Sequence, residues 1–138
     1  MSNKFSATYR VYYEDTDAQG VVYYANYLKF AERSRTDFLR NLNISQTELR
    51  QKEQLLFVVK SCAIEYLSAA RLDDLISVST EVKEISTTSI LLYQEFKKDE
   101  QLLAHLTTRI VCVDSVIFRP KKIPDSIKTP LQKEVAVA

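Results

Sequence analysis

The spacing of apolar residues changes period within this chain, and that change limits the fold more than any other feature. From Tyr24 the apolar positions fall at Tyr24, Tyr27, Leu28, Ala31, Phe38, Leu39 and Leu42, with Lys29, Glu32, Arg33, Asp37 and Arg40 elsewhere on the wheel. This three-and-four spacing lines one face of an α-helix. It predicts one long helix of about five turns, whose stripe is interrupted by Arg35. Asn43 is suited to close it in the left-handed region, and Ser45-Gln46-Thr47-Glu48 has the form of a capping box that opens a short second helix to about Glu53. The other patterned segments read as strands. They are Ala7 to Tyr13 before the helix and Phe57 to Leu67, Ile76 to Val82, Ile90 to Phe96 and Leu102 to Val113 after it. The connectors 69–74, 83–88 and 97–101 are short and polar, which suits antiparallel neighbours, because parallel pairs need crossovers of about a dozen residues. Strand, long helix, short helix and four strands define an α+β class in which a helix packs on an antiparallel sheet.

Composition bounds the rest. The chain has 138 residues, enough for a single domain, 1–138, and too few for two ordinary cores. Lys and Arg number 19 against 18 Asp and Glu, so no excess of positive charge is available to displace phosphate counterions, and nucleic acid is not an expected partner. The longest apolar runs, Val21 to Ala25 and Leu55 to Val59, are far shorter than the roughly 18 residues of a membrane-crossing helix. The first residues carry no apolar stretch of the kind that signals export, so a cytoplasmic location is the expectation. Pro120, Pro124 and Pro130, interspersed with Lys121, Lys122, Lys128 and Lys133, suggest a tail that is loosely ordered from about residue 125. Cys62 and Cys112 lie in separate strand-like stretches and read as buried free thiols. His105 is the one histidine and reads as a strand-face residue. Metal clusters and Ser/His/Asp or Cys/His triads therefore lack parts.

Glycine is the scarcest of the common residues here. Average usage near 7% would give about ten, and the chain has one, Gly20. It stands in the acidic stretch Glu14-Asp15-Thr16-Asp17-Ala18-Gln19-Gly20, where a strand hands over to the amino end of the long helix. Free backbone N–H groups and the positive end of the helix dipole gather at such a place and suit an oxyanion or a polarised carbonyl oxygen. A carboxylate there is a candidate general base or nucleophile, and Gly20 permits a turn with positive φ or the close approach of a ligand. On spacing alone, Asp17 also reads as a solvent-facing loop acid and Gly20 as an ordinary turn residue.

The string Tyr12-Tyr13-Glu14-Asp15-Thr16-Asp17-Ala18-Gln19-Gly20-Val21-Val22-Tyr23-Tyr24-Ala25-Asn26-Tyr27-Leu28 strongly resembles the active-site signature of the 4-hydroxybenzoyl-CoA thioesterase family, whose fold is the hotdog, an antiparallel sheet wrapped around one long helix. The resemblance continues through Glu32 to Thr36, Phe57 to Lys60, Glu65-Tyr66, Ala70 to Asp74, Val111 to Asp114 and Arg119 to Pro124. Within the family it points to a bacterial branch associated with the Tol-Pal system. It implies an acyl-CoA thioesterase in which Asp17 attacks the thioester carbonyl or activates water. A backbone N–H near Tyr24 would polarise the oxygen, and Gly20 would shape the loop. Tyr24 stands where many members carry His. Tyr13, Tyr23 and Tyr27 are implied to border the acyl group, and Val58, Val59 and Lys60 to line its pocket, although an apolar strand and a run of tyrosines are equally core or interface. Thr88 and Ser89 are implied to lie near the pantetheine arm, and Arg119, Lys121 and Lys122 to meet the phosphates of coenzyme A, although the lysines also read as a solvated tail. The resemblance implies no metal or redox cofactor, coenzyme A being part of the substrate. It also implies homo-oligomers, dimers or tetramers, built by edge-to-edge pairing with sites between subunits. A second reading is a module that binds acyl carrier protein or a phospholipid-synthesis enzyme at the inner membrane face, with weak hydrolysis. A hotdog dehydratase ranks below both, since His105 is far in sequence from the Asp17 loop.

Overall fold

The computed structural model describes residues 4–135. In chain order the elements are β1 (Phe5–Arg10), α1 (Asn26–Asn41), α2 (Gln46–Glu48, continued by a π turn over Leu49–Glu53), β2 (Leu55–Tyr66), β3 (Leu75–Ile85), β4 (Ser89–Lys98), β5 (Gln101–Asp114) and α3 (Asp125–Gln132). The five strands form one sheet in the order β1-β3-β4-β5-β2, and every pairing is antiparallel. Helix α1 crosses the β1–β3 side of the sheet. This leaves β2 as an outer strand whose central residues Val59 to Ala63 are exposed.

The amphipathic stripe of α1 divides the core in two. Tyr27, Phe30 and Ala31 pack with Val22, Ile76, Val78, Phe96 and Leu106. Phe38 and Leu39 pack with Ile44, Leu55, Val82, Ile90, Leu92 and Ile110. A buried polar line separates the two clusters. Ser34 Oγ donates to the Val78 carbonyl (3.1 Å) and lies 3.0 Å from Thr80 Oγ1. Gln94 Nε2 donates to the Ala31 carbonyl and to Thr80 Oγ1, both at 3.0 Å. Arg35, the interruption in the stripe, donates to Gln94 Oε1 (3.2 Å), so its place on the buried face is occupied by a hydrogen-bonded group.

Local signals act as expected in several places. Asn43 takes φ 62° after α1, and Ser45 Oγ accepts the Glu48 N–H (3.3 Å) at the start of α2. The predicted strands recur with their ends moved by a few residues. β1 differs more: it stops at Arg10 instead of Tyr13, because Tyr13–Asp15 wind into a 3-10 turn, pinned by the Tyr12 N–H donating to Asp15 Oδ2 (2.8 Å). Helix α1 correspondingly starts at Asn26, after a turn closed by the Asn26 N–H donating to the Tyr23 carbonyl (2.8 Å).

Two expectations are overturned. The tail from residue 125 is helical, because Ile123, Ile127 and Leu131 recur at helical spacing and bury in the core. Pro124 sits at the N-cap with φ −61° and ψ 149°, where a missing N–H costs nothing. Residues 136–138 of that expected tail lie outside the described residues. Cys62 is exposed, because it lies on β2, an edge strand with no neighbour on its outer side; Cys112 is buried, and both thiols are free. Among the described residues, five non-glycine residues adopt positive φ: Asn43, Gln54, Asp73, Asp99 and Phe118.

Candidate active site

The loop between β1 and α1 folds back on itself. Thr16 pairs with Val22 and Val21 with Arg71 in isolated antiparallel bridges, and the Val22 N–H donates to the Ala70 carbonyl (2.8 Å). Within this loop the Asp17 N–H donates to the Val21 carbonyl (2.9 Å) and the Gly20 N–H to the Asp17 carbonyl (3.0 Å). Asp17 Oδ1 accepts the Gln19 N–H at 2.8 Å, the local capping that Asp offers a turn. Gly20 takes φ +80° with nothing within 4 Å of where a Cβ would stand, so the turn needs glycine for backbone conformation and not for space.

Two carboxylates two residues apart take different roles. Asp15 is 6% exposed. Its Oδ2 holds the Tyr12 N–H, its Oδ1 accepts Asn26 Nδ2 (3.0 Å), and its carbonyl accepts the Tyr23 N–H (2.9 Å); it fastens the loop to the start of α1. Asp17 is half-buried, and its Oδ2 has no hydrogen-bond partner among the described residues. It faces an open hollow of about 590 Å³ lined by Tyr13, Thr16, Asp17, Ala18, Gly20 and Leu72.

At the start of α1 the N–H groups of Tyr24 and Ala25 find no backbone acceptor among the described residues, the donor-rich condition of a helix amino end. The Tyr24 carbonyl accepts the Tyr66 hydroxyl (2.7 Å), which ties this turn to the end of β2. The Tyr23 and Tyr24 rings lie 4.9 Å apart. The neighbouring Tyr24 hydroxyl, and in lesser part the charge of Asp17, raises the pKa of Tyr23. Tyr27, implied as an acyl neighbour, is instead 3% exposed in the core between Tyr66 and Phe96, with its hydroxyl accepting the Ala70 N–H (3.2 Å).

The remaining candidates lie at the opposite end of the sheet. Ser89 Oγ accepts Arg109 Nη1 (2.9 Å), and the Thr88 carbonyl accepts the Cys112 N–H (2.8 Å) at the end of β5. Arg119 follows through its carbonyl, which accepts the Asp114 N–H (2.9 Å). Lys121 reaches Asp114 at 3.9 Å, and Lys122 is exposed. Val58, Val59 and Lys60 lie midway along β2, at the bulge between Val59 and Ser61. Strand β2 runs twelve residues from the Leu55 end to the Tyr66 end, about 36 Å at the usual rise. Within one chain, then, Asp17, Gly20 and Tyr13 come together, while Thr88, Ser89, Arg119, Lys121 and Lys122 stand toward the Leu55 end of β2.

Thr16, Ala18 and Leu72 join the hollow without having been singled out by chemistry. Leu72 arrives through the Val21–Arg71 bridge, a long-range pairing with no local signal. Tyr66 is likewise placed by tertiary contact. His105 sits on the strand face expected of it, 3.3 Å from Glu65. Among the described residues no three His, Cys, Asp or Glu side chains converge as a metal would require, and no helix is long and apolar enough to cross a membrane.

An antiparallel sheet curved about one long helix, with a carboxylate loop feeding that helix, defines the hotdog class of thioesterase folds. The model of the thioesterase-like superfamily matches residues 11–131, and the chain belongs to that family. It is 48% identical over 128 residues to the acyl-CoA thioesterase YbgC of Haemophilus influenzae, covering 93% of this chain and 94% of that one. It is 44% identical to the acyl-CoA thioester hydrolase YbgC of Escherichia coli, over 86% and 88% of the two chains. Among solved structures, a probable thioesterase from Bartonella henselae superposes with a TM-score of 0.84 at 30% identity, over 88% of this chain and 100% of that one.

Proposed function

We propose that this protein hydrolyses acyl-CoA thioesters to the free acid and coenzyme A. The observation that carries the reading is the half-buried Asp17 carboxylate, with one oxygen unengaged, joined through the Thr16–Val22 bridge to a helix start whose N–H groups lack acceptors. Thioester hydrolysis builds negative charge on the carbonyl oxygen, and one preorganised donor there is worth about 2.7–4 kcal/mol. The Tyr24 N–H fills that role, and Asp17 attacks the carbonyl carbon or takes a proton from the attacking water. Gly20 holds the turn that presents Asp17.

The groups suited to coenzyme A, namely Thr88, Ser89, Arg119, Lys121 and Lys122, flank the Leu55 to Val58 end of β2, roughly 26–36 Å along the strand from the Tyr66 end to which this loop is tied. Antiparallel pairing of β2 with β2 of a second copy puts opposite ends of the two sheets side by side and makes a composite site. The working unit in this reading is therefore a homodimer or a multiple of it.

The test is thiol release across acyl-CoAs from acetyl to palmitoyl, with benzoyl and hydroxybenzoyl, for the wild type beside Asp17→Asn. Release by the wild type and a loss of more than about a hundredfold in the variant, with oligomeric state unchanged, is the expected result. Equal release from both proteins, or none from either, overturns the reading. Retention of acyl carrier protein by the inactive variant would then favour a carrier-protein binding module.

A further inference from the structure

Val116, Ile117 and Phe118, in the turn after β5, are 71%, 64% and 61% exposed, yet the turn is firmly framed. Asp114 Oδ1 accepts the N–H groups of Ile117 (3.1 Å) and Val116 (2.8 Å), and these two donors hold the Asp114 carboxyl below the usual carboxylate range. The Phe118 N–H donates to the Asp114 carbonyl and the Asp114 N–H to the Arg119 carbonyl, both at 2.9 Å. The Ser115 N–H donates to the Gln54 carbonyl (2.8 Å). Within this frame Phe118 takes φ 57°, a left-handed backbone that glycine adopts freely and a bulky side chain only under strain. A large aromatic ring is thus held out toward solvent at a position whose backbone would be easier without it, and strain of that kind points to a use for the side chain.

The turn shares its anchor with the cationic segment that follows it. Asp114 Oδ2 lies 3.9 Å from Lys121 Nζ, so one carboxylate frames the turn with one oxygen and steadies Lys121 with the other. Lys121 Nζ also donates to the Glu53 carbonyl (3.4 Å), and the Lys121 N–H to the Cys112 carbonyl (2.8 Å). Arg119 follows Phe118 directly, and both Arg119 and Lys122 are exposed. Fixed cations therefore stand beside an exposed, fixed aromatic face within a few residues of one chain. Arg and Lys suit phosphate oxygens. An aromatic face suits a nucleobase, which stacks on it through its own flat, poorly hydrated ring. The nucleotide half of coenzyme A presents both partners together, phosphates and an adenine joined by one ribose.

We infer that the Phe118 ring is the stacking platform for the adenine of coenzyme A, with Arg119 and Lys121 holding the phosphates beside it, so that the protein selects coenzyme A thioesters over thioesters that lack the nucleotide. The inference rests on the thioesterase reading and on the placement of the phosphates at Arg119 and Lys121. It needs residues of one chain only. It deepens that reading by naming the carrier: the pantetheine arm of a carrier-protein thioester bears no adenine and gains nothing from the ring. A ring fixed in place before the base arrives loses little freedom on contact. Removal of an aromatic platform weakens binding of its base by roughly fivefold to a hundredfold.

The test compares kcat/KM for the acyl-CoA that the wild type turns over fastest with kcat/KM for the same acyl group on pantetheine, which lacks the nucleotide. The wild type is expected to favour the coenzyme A thioester, and Phe118→Gly to lower that preference about tenfold. The loss should fall on KM for the acyl-CoA, with kcat held within about twofold. Glycine is at ease with the positive φ, so this variant keeps the fold. Phe118→Tyr retains a flat face and should retain the preference, whereas Phe118→Leu retains apolar bulk alone and should lose it. An unchanged preference in Phe118→Gly, or a preference kept by Phe118→Leu, overturns the inference. Arg119→Ala separates the stack from the reading beneath it. A preference lowered by Arg119→Ala and untouched by Phe118→Gly would leave the phosphates in place and remove the stack, and a preference that neither variant lowers would remove both. Absence of thiol release by the wild type would count against the thioesterase reading instead. Calorimetric titration with coenzyme A then decides the stack by itself, with binding about tenfold weaker in Phe118→Gly expected and equal binding overturning it.

Discussion

Gly20 and the two aspartates before it show how differently neighbouring residues are constrained. Gly20 needs φ +80° and no room, so Gly20→Ala is expected to cost about 1–2 kcal/mol of backbone strain, with no steric clash added. Gly20→Asn should cost less, since Asn tolerates the left-handed region. Urea denaturation measures both, and an alanine variant as stable as wild type would refute the conformational account. The importance of Gly20 was legible in the sequence because no other glycine competes with it. The separate roles of Asp15 and Asp17 were not legible. Their side chains are chemically the same, and only the 3-10 turn at Tyr13–Asp15 decides that one is consumed by the Tyr12 N–H and Asn26 while the other keeps a free oxygen. Tyr27 illustrates the same limit. It belongs to the tyrosine-rich run, yet the phase of α1 turns it into the core.

Periodicity carried most of the elements. The alternation of Ile76, Val78, Thr80 and Val82 placed β3, and the three-and-four stripe placed α1, because both patterns are local consequences of which face is buried. The end of the chain escaped because its prolines and lysines suggested breakage, whereas the spacing of Ile123, Ile127 and Leu131 is that of a helix face. Helix α3 is a closing piece of the second core cluster, in which Leu131 is fully buried beside Val82 and Ile90. Leu131→Ala is expected to destabilise the fold by about 2–5 kcal/mol and to lower the melting temperature. A change of less than about 0.5 kcal/mol, within what surface substitutions show, would mean that α3 packs only loosely on the sheet.

At the scale of the molecule, strand order was out of reach of sequence, because α1 carries the chain across the sheet and places β2 at the far edge from β1. The exposure of Cys62 follows from the same placement. So does a prediction: Ala63 is exposed in the single chain, so Ala63→Asp should leave the protomer folded. In β2 strands paired end to end it would set an unpaired carboxylate opposite the apolar Val58 of the other copy, at a desolvation cost that splits the oligomer. Light scattering with circular dichroism reads both, and an intact oligomer would exclude β2 as the pairing edge. A different consequence follows from the five non-glycine residues with left-handed backbone, Asn43, Gln54, Asp73, Asp99 and Phe118. Asn and Asp are at home there, but a glutamine and a phenylalanine are not. A lineage pressed toward warmer growth has two single-codon-scale relaxations in reserve at those positions, since glycine would relieve the strain. Position 54 is free to use this route. At position 118 the same change would also remove an exposed aromatic ring, so relief of strain there alters the surface as it does not at position 54.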